Sequence, residues 1–384
     1  MRILLVLLFS LLAGASAAKD LRIGYLSLLD DPRYQQDWGY ARLIVPPPIR
    51  SVDGARMAIS DLAFVTDSLD LHPVLDARET GPDTLTASLQ AMVADGAGVI
   101  VLDLPAPLVE AAAKASADLP VVLINATAPE DSLRSACYPT MLHSGPSLRM
   151  IMNGFAQYLR AMNWINVLVL VGEHPSDPGL ADAFTYSAER MRLTIVASRP
   201  FTLAANPEAR EGNNVKLLTA DADYDVVYVA DTRGEFGRYI SYSSQLPRPV
   251  IGSVGLTAQA WHWAMEHDGA MQVSSRFDKM TNGRMMSSAD WSVWVAVKSV
   301  ITAFTKGPDG DQADILAVLK SSKFSLDGSK GVLLSYRDWD GQLRMPILLA
   351  TSDAIIAIAP IEGDLHPMTL LGTLGTDQPK LACD

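Results

Sequence analysis

The stretch YQQDWGYAR, at positions 34–42, places two tyrosines, a tryptophan, an acid and an arginine close together after the first apolar run. If this stretch is helical, Tyr34, Trp38 and Arg42 lie four residues apart and share one face. Aromatic rings stack on flat molecules, and a guanidinium group binds carboxylates through parallel hydrogen bonds. The pattern predicts either a binding surface for a planar anionic ligand or an aromatic cluster that packs on its own domain.

Polar side chains also follow several apolar runs that are typical of buried strands. Ligands of open parallel sheets lie beyond the carboxyl ends of the strands, so side chains at these positions can contact a ligand. Arg233 and Arg276 offer guanidinium groups for a carboxylate, and Trp261 offers a ring. The other candidates are Asp103, Asn125, Thr127, Glu173, His174, Asp231, Thr232 and Ser253. Alternatively, such residues cap the helices that follow them, or pack as Trp261 would, without contacting a ligand.

The sequence contains none of the common catalytic motifs. No G-x-G-x-x-G follows the first strand-like run, and neither a P-loop nor a G-x-S-x-G is present. His262 and His267 lie five residues apart, which differs from the four-residue spacing that places two metal ligands on one helix face. The chain is therefore predicted to bind a ligand, with no catalytic activity and no metal site.

Short apolar runs alternate with amphipathic segments along most of the chain, which predicts parallel sheets covered by helices on both faces. The fold class is α/β, with two doubly wound Rossmann-like lobes and a ligand cleft between them. Lobe 1 is predicted at 18–143, completed by about 278–335, and lobe 2 at 144–277, completed by about 336–365. Residues 366–384 form a tail. A hairpin is predicted within 330–351, turning at Asp340 and Gly341.

The N-terminus has the order of a secretory signal peptide at 1–17: Arg2, an apolar run and then Ala15-Ser16-Ala17. We therefore expect export to the periplasm without stable membrane insertion. In that compartment Cys137 and Cys383 can form a disulfide, with two separate buried thiols as the alternative. The formal net charge of −12 argues against nucleic-acid binding.

Four segments carry a family resemblance: RSVDGARMAI at 50–59, VIGSVGLTAQAWHWAMEHDGAMQVSSRF at 250–277, ADWSVWVAVKSV at 289–300 and KGVLLSYRDWDGQLRMPILLA at 330–350. They resemble type I periplasmic substrate-binding proteins of the leucine/isoleucine/valine-binding class. More specifically, they resemble those encoded with pyrroloquinoline quinone (PQQ)-dependent alcohol dehydrogenase systems. In amino-acid-binding relatives, small hydroxyl residues after the third and fourth strands bind the ligand. Here Asp103 replaces the first of these, which argues against an amino-acid ligand, whereas Thr127 keeps the second.

The resemblance implies a monomeric periplasmic carrier that captures PQQ as a ligand, not as a catalytic cofactor. Its partner would be an ABC permease or a quinoprotein dehydrogenase system. Two alternatives to this interpretation stay open at this point. In the first, the ligand is another carboxylate or an amino acid. In the second, the protein is a sensor that signals to a membrane partner.

Overall fold

The computed structural model describes residues 19–35, 49–202, 212–306, 312–363 and 369–376. The predicted signal peptide therefore lies outside the described residues, as do Trp38, Arg42 and Cys383. The Cys137–Cys383 disulfide and the proposed contacts of Trp38 and Arg42 stay predictions. None of the helices within the described residues is long and apolar enough to cross a bilayer.

The first lobe contains a five-stranded parallel sheet in the order β2-β1-β3-β4-β5. Its strands are β1 (Lys19–Leu28), β2 (Leu71–Thr80), β3 (Val99–Asp103), β4 (Val122–Asn125) and β5 (Met141–His143). Every residue of β3, β4 and β5 is buried, as expected for strands covered on both faces. In the register, Ser27 lies opposite Asp103 and Leu102 opposite Asn125, so the carboxyl ends of these strands meet at one edge.

Helices cover both faces of this sheet. The elements from the first half of the chain are α1 (Val52–Asp61), α2 (Ala63–Ser68), α3 (Leu85–Ala94), α4 (Ala106–Ala115) and α5 (Ser132–Ser135). Returning segments add α10 (Ala270–Met280), α11 (Ser288–Phe304) and α12 (Gln312–Lys320). They also add a small sheet of β11 (Leu326–Asp327), β12 (Leu333–Tyr336) and β13 (Leu343–Arg344). Helix α11 carries the buried Trp291 and Trp294 and packs directly on α1.

The second lobe contains a four-stranded parallel sheet in the order β7-β6-β8-β9. Its strands are β6 (Asn166–Val171), β7 (Thr194–Pro200), β8 (Val226–Ala230) and β9 (Val250–Gly252). Its helices are α6 (Leu148–Ala161), α7 (Asp177–Arg190), α8 (Val215–Leu218) and α9 (Gly237–Ser243). An antiparallel sheet of β10 (Thr257–Gln259), β14 (Ile347–Ala350) and β15 (Ile355–Ala359) packs on α6.

The chain crosses between the lobes at 144–147, at 260–269 and at 345–346. The second crossing leads into α10, whose buried Val273 and Phe277 share a core with α1. Helix α10 therefore contacts the first lobe, whereas the predicted boundary at 277 groups it with the second lobe.

The predicted hairpin is correct only for its first half. Strands β12 and β13 pair around the turn at Asp340 and Gly341, with Ser335 opposite Arg344. The prediction that the second arm continues to 350 is wrong, because β14 pairs with β10 and β15 in the other lobe. Pro346 precedes β14 and has no backbone N–H, so it cannot extend the β12–β13 ladder.

Candidate functional site

A buried carboxylate, that of Asp103, lies where the carboxyl ends of β1, β3 and β4 meet. Its Oδ2 atom accepts hydrogen bonds from the hydroxyls of Tyr25 at 2.6 Å and Ser51 at 3.2 Å. Its Oδ1 atom accepts from the Thr127 hydroxyl at 2.9 Å and from the Arg33 guanidinium at 3.2 Å. The Tyr34 hydroxyl lies 2.8 Å from both oxygens. We call Asp103, its five donors and Asp31 the Asp103 cluster.

Local structure positions the donors of this cluster. Arg33 and Tyr34 form a short 3₁₀ turn at 32–34, and the Asp31 side chain caps it by accepting from the Arg33 backbone N–H at 2.9 Å. The same carboxylate pairs with the Arg33 guanidinium at 2.7 Å. The guanidinium also donates to Thr127 at 3.1 Å. A single arginine thus connects the loop after β1 with the ends of β3 and β4.

The electrostatics keep both tyrosines of the cluster protonated. Burial, followed by the charge of Asp103, raises the pKa of Tyr25 and of Tyr34 well above the usual range. Burial lowers the pKa of Arg33, but the hydrogen bonds to Asp31 and the charge of Asp103 outweigh it and raise that pKa overall. The tyrosines therefore act as hydrogen-bond donors, and Arg33 stays charged.

A cavity of about 490 Å³ lies beside this cluster and has Tyr34 in its wall. Its walls come from the end of the β1 loop, from the 259–263 segment that leaves β10, and from the 284–289 segment that leads into α11. We call it the aromatic cavity. It is lined by Tyr34, Ile49, Gln259, Trp261, His262, Trp263, Arg284, Met285, Met286, Ser287, Ser288 and Ala289.

Two tryptophans, Trp261 and Trp263, form one wall of the aromatic cavity. Trp261 is 1% exposed and stacks on Trp291, with ring centroids 6.2 Å apart and an interplanar angle of 10°. Its indole N–H is buried and has no hydrogen-bond partner within the described part of the chain. Its backbone N–H donates to the Ser288 hydroxyl at 3.1 Å, which ties this wall to the start of α11. Trp263 is 42% exposed, so its ring is accessible to a solute.

The arginine at this cavity is already paired. Arg284 donates to Asp290 at 2.6 Å and to Asp53 at 3.0 Å. Asp290 also completes a capping box with Ser287, which is the N-cap of α11. The cavity therefore offers rings, thioethers and a few neutral polar groups, while the charge of Arg284 is balanced by two carboxylates.

In the second lobe, the predicted residues after β6 and β8 come together around a space of only about 40 Å³. Asp177 accepts from the Thr232 hydroxyl at 2.6 Å and from the His174 backbone N–H at 3.0 Å. Burial raises the pKa of Asp231, which caps the following turn by accepting from the Gly237 N–H at 2.8 Å. The small space, lined also by Glu173, Phe201 and Arg233, has room for water only.

The remaining predicted site residues form hydrogen bonds or ion pairs with other parts of the chain. Asn125 is buried and bonds to Ala128 and to His143, so it fixes the turn after β4. The Ser253 hydroxyl accepts from the backbone N–H of Asp231 at 3.0 Å. Arg276 lies on α10 and pairs with Asp61 of α1 at 2.7 Å, within the helix layer of the first lobe and not at the strand ends.

Sequence reasoning missed several residues of the site. Arg33 immediately precedes the aromatic stretch, and Ser51 precedes α1, so their positions at element ends were the available signals. Met285, Met286 and Ser287 were missed because they belong to a loop that follows no strand. Among the described residues, no group of three or more His, Cys, Asp or Glu side chains is arranged to hold a metal ion.

No protein-family model and no curated protein sequence matches the chain. Solved structures do match it. An ABC transporter substrate-binding protein from Sphaerobacter thermophilus aligns with a TM-score of 0.70 and 13% identity, over 89% of this chain and 98% of that one. A branched-chain amino acid ABC transporter periplasmic ligand-binding protein from Burkholderia xenovorans gives 0.69 and 14%, over 88% and 95%. A solute-binding protein of an ABC transporter from Rhodopseudomonas palustris, solved in complex with 3,4-dihydroxybenzoic acid, gives 0.64 and 15%, over 86% and 93%.

At these identities the likeness establishes the fold. It agrees with the two parallel sheets, the cleft at their strand ends and the crossings between lobes. The chain therefore has the type I periplasmic-binding-protein fold.

Proposed function

We propose that this protein is an exported solute-binding protein, not an enzyme, and that it takes up a small ring-containing solute in the aromatic cavity. The observation that carries the proposal is the cavity itself, of about 490 Å³, between the end of β1 and the segment leaving β10. Its volume lies in the range of small-molecule sites, and its lining is mostly apolar with a few polar groups.

The side-chain chemistry of the cleft supports binding over catalysis. The carboxylates of Asp103, Asp177 and Asp231 all accept hydrogen bonds from neighbouring residues, and Arg284 is paired with Asp290 and Asp53. A catalytic acid or base needs a reacting proton within reach, whereas these groups are engaged in holding turns and helix ends. These charged groups are thus suited to hold the shape of the cleft.

The stacked rings favour a planar solute over an aliphatic one. Trp263 and Tyr34 offer accessible aromatic surface, on which a flat ring gains contact area and favourable stacking geometry, and the buried Trp261 supports this wall from behind. PQQ, suggested by the sequence resemblance, is the specific candidate within this class. Aromatic acids are the second candidate class, and the R. palustris structure, solved with 3,4-dihydroxybenzoic acid, supports including them.

The proposed partner is an ABC permease, because the structural neighbours are substrate-binding proteins of ABC transporters. Delivery of PQQ to a quinoprotein dehydrogenase system is the narrower form of the same role. A sensor role would require a membrane partner that reads the same lobe closure. Co-purification of a permease with its ATPase, or of a sensor kinase, separates these roles.

The test is a titration of the purified protein with PQQ, 3,4-dihydroxybenzoate and leucine, monitored by tryptophan fluorescence and melting temperature. A bound solute should quench Trp263 and raise the melting temperature by mass action. Trp263→Leu should weaken binding by about five- to 100-fold, the scale of one lost aromatic contact.

Trp164→Leu is the matched control, because Trp164 packs on Tyr158 in the second lobe, at a ring distance of 5.8 Å, and does not line the cavity. It should leave the affinity within about twofold. Two outcomes would contradict the proposal. One is an equal loss of affinity in the two variants, and the other is that neither PQQ nor the aromatic acid changes fluorescence or melting temperature at about 100 μM.

A further inference from the structure

The Asp103 cluster has the composition of an anion-binding site whose anion is part of the chain. The donors are the Arg33 guanidinium and four hydroxyls, those of Tyr25, Tyr34, Ser51 and Thr127. They come from four separate segments of the first lobe and point at one carboxylate. We infer that Asp103 acts as a built-in substitute for a ligand carboxylate and thereby excludes acid groups of the solute from the first-lobe half of the cleft.

The first argument is hydrogen-bond capacity. A carboxylate has about four lone-pair directions. The Oδ1 atom of Asp103 receives Arg33, Tyr34 and Thr127, and its Oδ2 atom receives Tyr25, Tyr34 and Ser51. Both oxygens are therefore fully used, and each of the four hydroxyls donates its single hydrogen to them. A second carboxylate arriving here would find no hydroxyl donor in this group to replace the water it loses.

The second argument is charge. Among the described residues, the positive groups over the Tyr34 ring are Arg33 and Arg50, whose guanidinium carbons each lie 5.4 Å from the ring centroid. Arg33 pairs with Asp31 and Asp103, and Arg50 pairs with Glu79 at 3.3 Å. In the part of the chain that the structure describes, two positive charges thus face three negative ones. The balance of these charges is negative, which disfavours an incoming carboxylate.

The third argument is position. Tyr34 belongs both to the cluster and to the wall of the aromatic cavity, so a solute in the cavity lies one ring away from Asp103. The part of the solute that faces the first lobe must then be neutral or a hydrogen-bond donor, and any acid group must point elsewhere. This orientation rule rests on the proposed function, but its basis, the filled anion site, can be tested without any solute.

The experiment uses Asp103→Ala in the full mature chain, with acetate and formate as probes. The substitution removes the built-in carboxylate and leaves its donors around a small vacancy. Between zero and 100 mM acetate or formate, the melting temperature of this variant should rise by at least about 2 °C beyond the rise in sodium chloride of equal ionic strength. The wild-type protein, whose site is filled, should show no such difference.

Asp103→Asn is the matched control, because its amide has the same shape and keeps the site filled. It should not respond to acetate. An equal response of the Ala and Asn variants would place the anion elsewhere, and no response of the Ala variant would overturn the inference.

If Asp103→Ala does not fold without an anion, refolding from urea becomes the readout. Recovery in acetate but not in chloride supports the inference, whereas equal recovery or equal failure in both salts overturns it. Failure of the solute titration in the wild-type protein would count against the proposed function alone, because none of these measurements contains a solute.

Discussion

Removal of one hydroxyl, by Tyr34→Phe, separates the two roles that the structure gives to Tyr34. The hydroxyl lies 2.8 Å from both oxygens of Asp103, while the ring lines the aromatic cavity and packs under Arg50. Phenylalanine keeps the ring and its contact with Arg50 but cannot donate to the carboxylate. The substitution should therefore reduce stability without removing the aromatic surface for the solute.

The magnitude follows from the hydrogen bond that is lost. A hydrogen bond to a charged group contributes about 1.5–3 kcal/mol to stability. Asp103 keeps the donors Tyr25, Ser51, Thr127 and Arg33, so the carboxylate is not left unpaired and the lower end applies. We expect the free energy of unfolding to fall by about 1.5 kcal/mol. Solute affinity should change by less than about threefold, whereas Tyr34→Ala should reduce it by about five- to 100-fold.

The assay is urea denaturation of both variants, followed by the fluorescence titration. Tyr242→Phe is the control, because Tyr242 is 95% exposed. This substitution should change the free energy of unfolding by less than about 0.5 kcal/mol. In an Asp103→Asn background, the cost of Tyr34→Phe should fall by at least half, because the charge that strengthens the bond is gone. An unchanged cost in that background would refute the assignment of the hydroxyl to Asp103.

Three further predictions concern the first-lobe core and its ionisable groups. Gly54→Ala should lower the free energy of unfolding by about 1–3 kcal/mol, because a Cβ at this position would lie 2.2 Å from the backbone oxygen of Asp290. Gly179→Ala is the control and should not lower the free energy of unfolding, because a Cβ at that position meets nothing within 4 Å. Burial, with Arg134 nearby, holds the pKa of His143 well below its usual value, so the folded state binds fewer protons than the unfolded chain. Stability should therefore fall by up to about 1.4 kcal/mol per pH unit below about pH 6.5, and His143→Gln should remove that slope in urea titrations. Burial likewise lowers the pKa of Lys330 well below its usual value, so the folded state binds fewer protons than the unfolded chain on the alkaline side. Stability should therefore rise with pH up to about pH 10.5, and Lys330→Met should flatten this rise.

The fold class could be predicted from the sequence because runs of apolar residues mark the buried strands. Segments such as VIVLD and VLIN are apolar except for their last residues, Asp103 and Asn125, and in the structure every one of their residues is buried. The helix at 288–304 begins after a serine cap, Ser287, and such a cap is also a local signal. Such signals are local, so they need no knowledge of neighbouring elements. The second arm of the hairpin was predicted wrongly because β14 belongs to another sheet, where it pairs with β10 and β15 and not with β13.

The site was less predictable because its residues meet only through strand register. Tyr25, Tyr34, Ser51 and Thr127 are separated by up to about a hundred positions, and each is common as a core or capping residue. Their convergence on Asp103 depends on Ser27 lying opposite Asp103 and on Leu102 lying opposite Asn125. Sequence spacing carries no information about such pairings, so Asp103 could be placed at a strand end but its donors could not be named.

Among the described residues of the aromatic stretch at 34–42, the two alternatives, ligand surface and packing, apply to different atoms of Tyr34. Its hydroxyl is engaged in the packing of the first lobe, since it bonds to a carboxylate that is fully buried. Its ring lines the largest of the cavities described, where a flat solute can contact it. An amphipathic side chain can hold a polar tip fixed while it presents an apolar face, so we expect Tyr34 to contribute to stability and, in the proposed function, to binding as well. For this reason the loss of stability in Tyr34→Phe and the loss of affinity in Tyr34→Ala must be measured separately: a single alanine substitution removes both contributions and would not distinguish the two hypotheses.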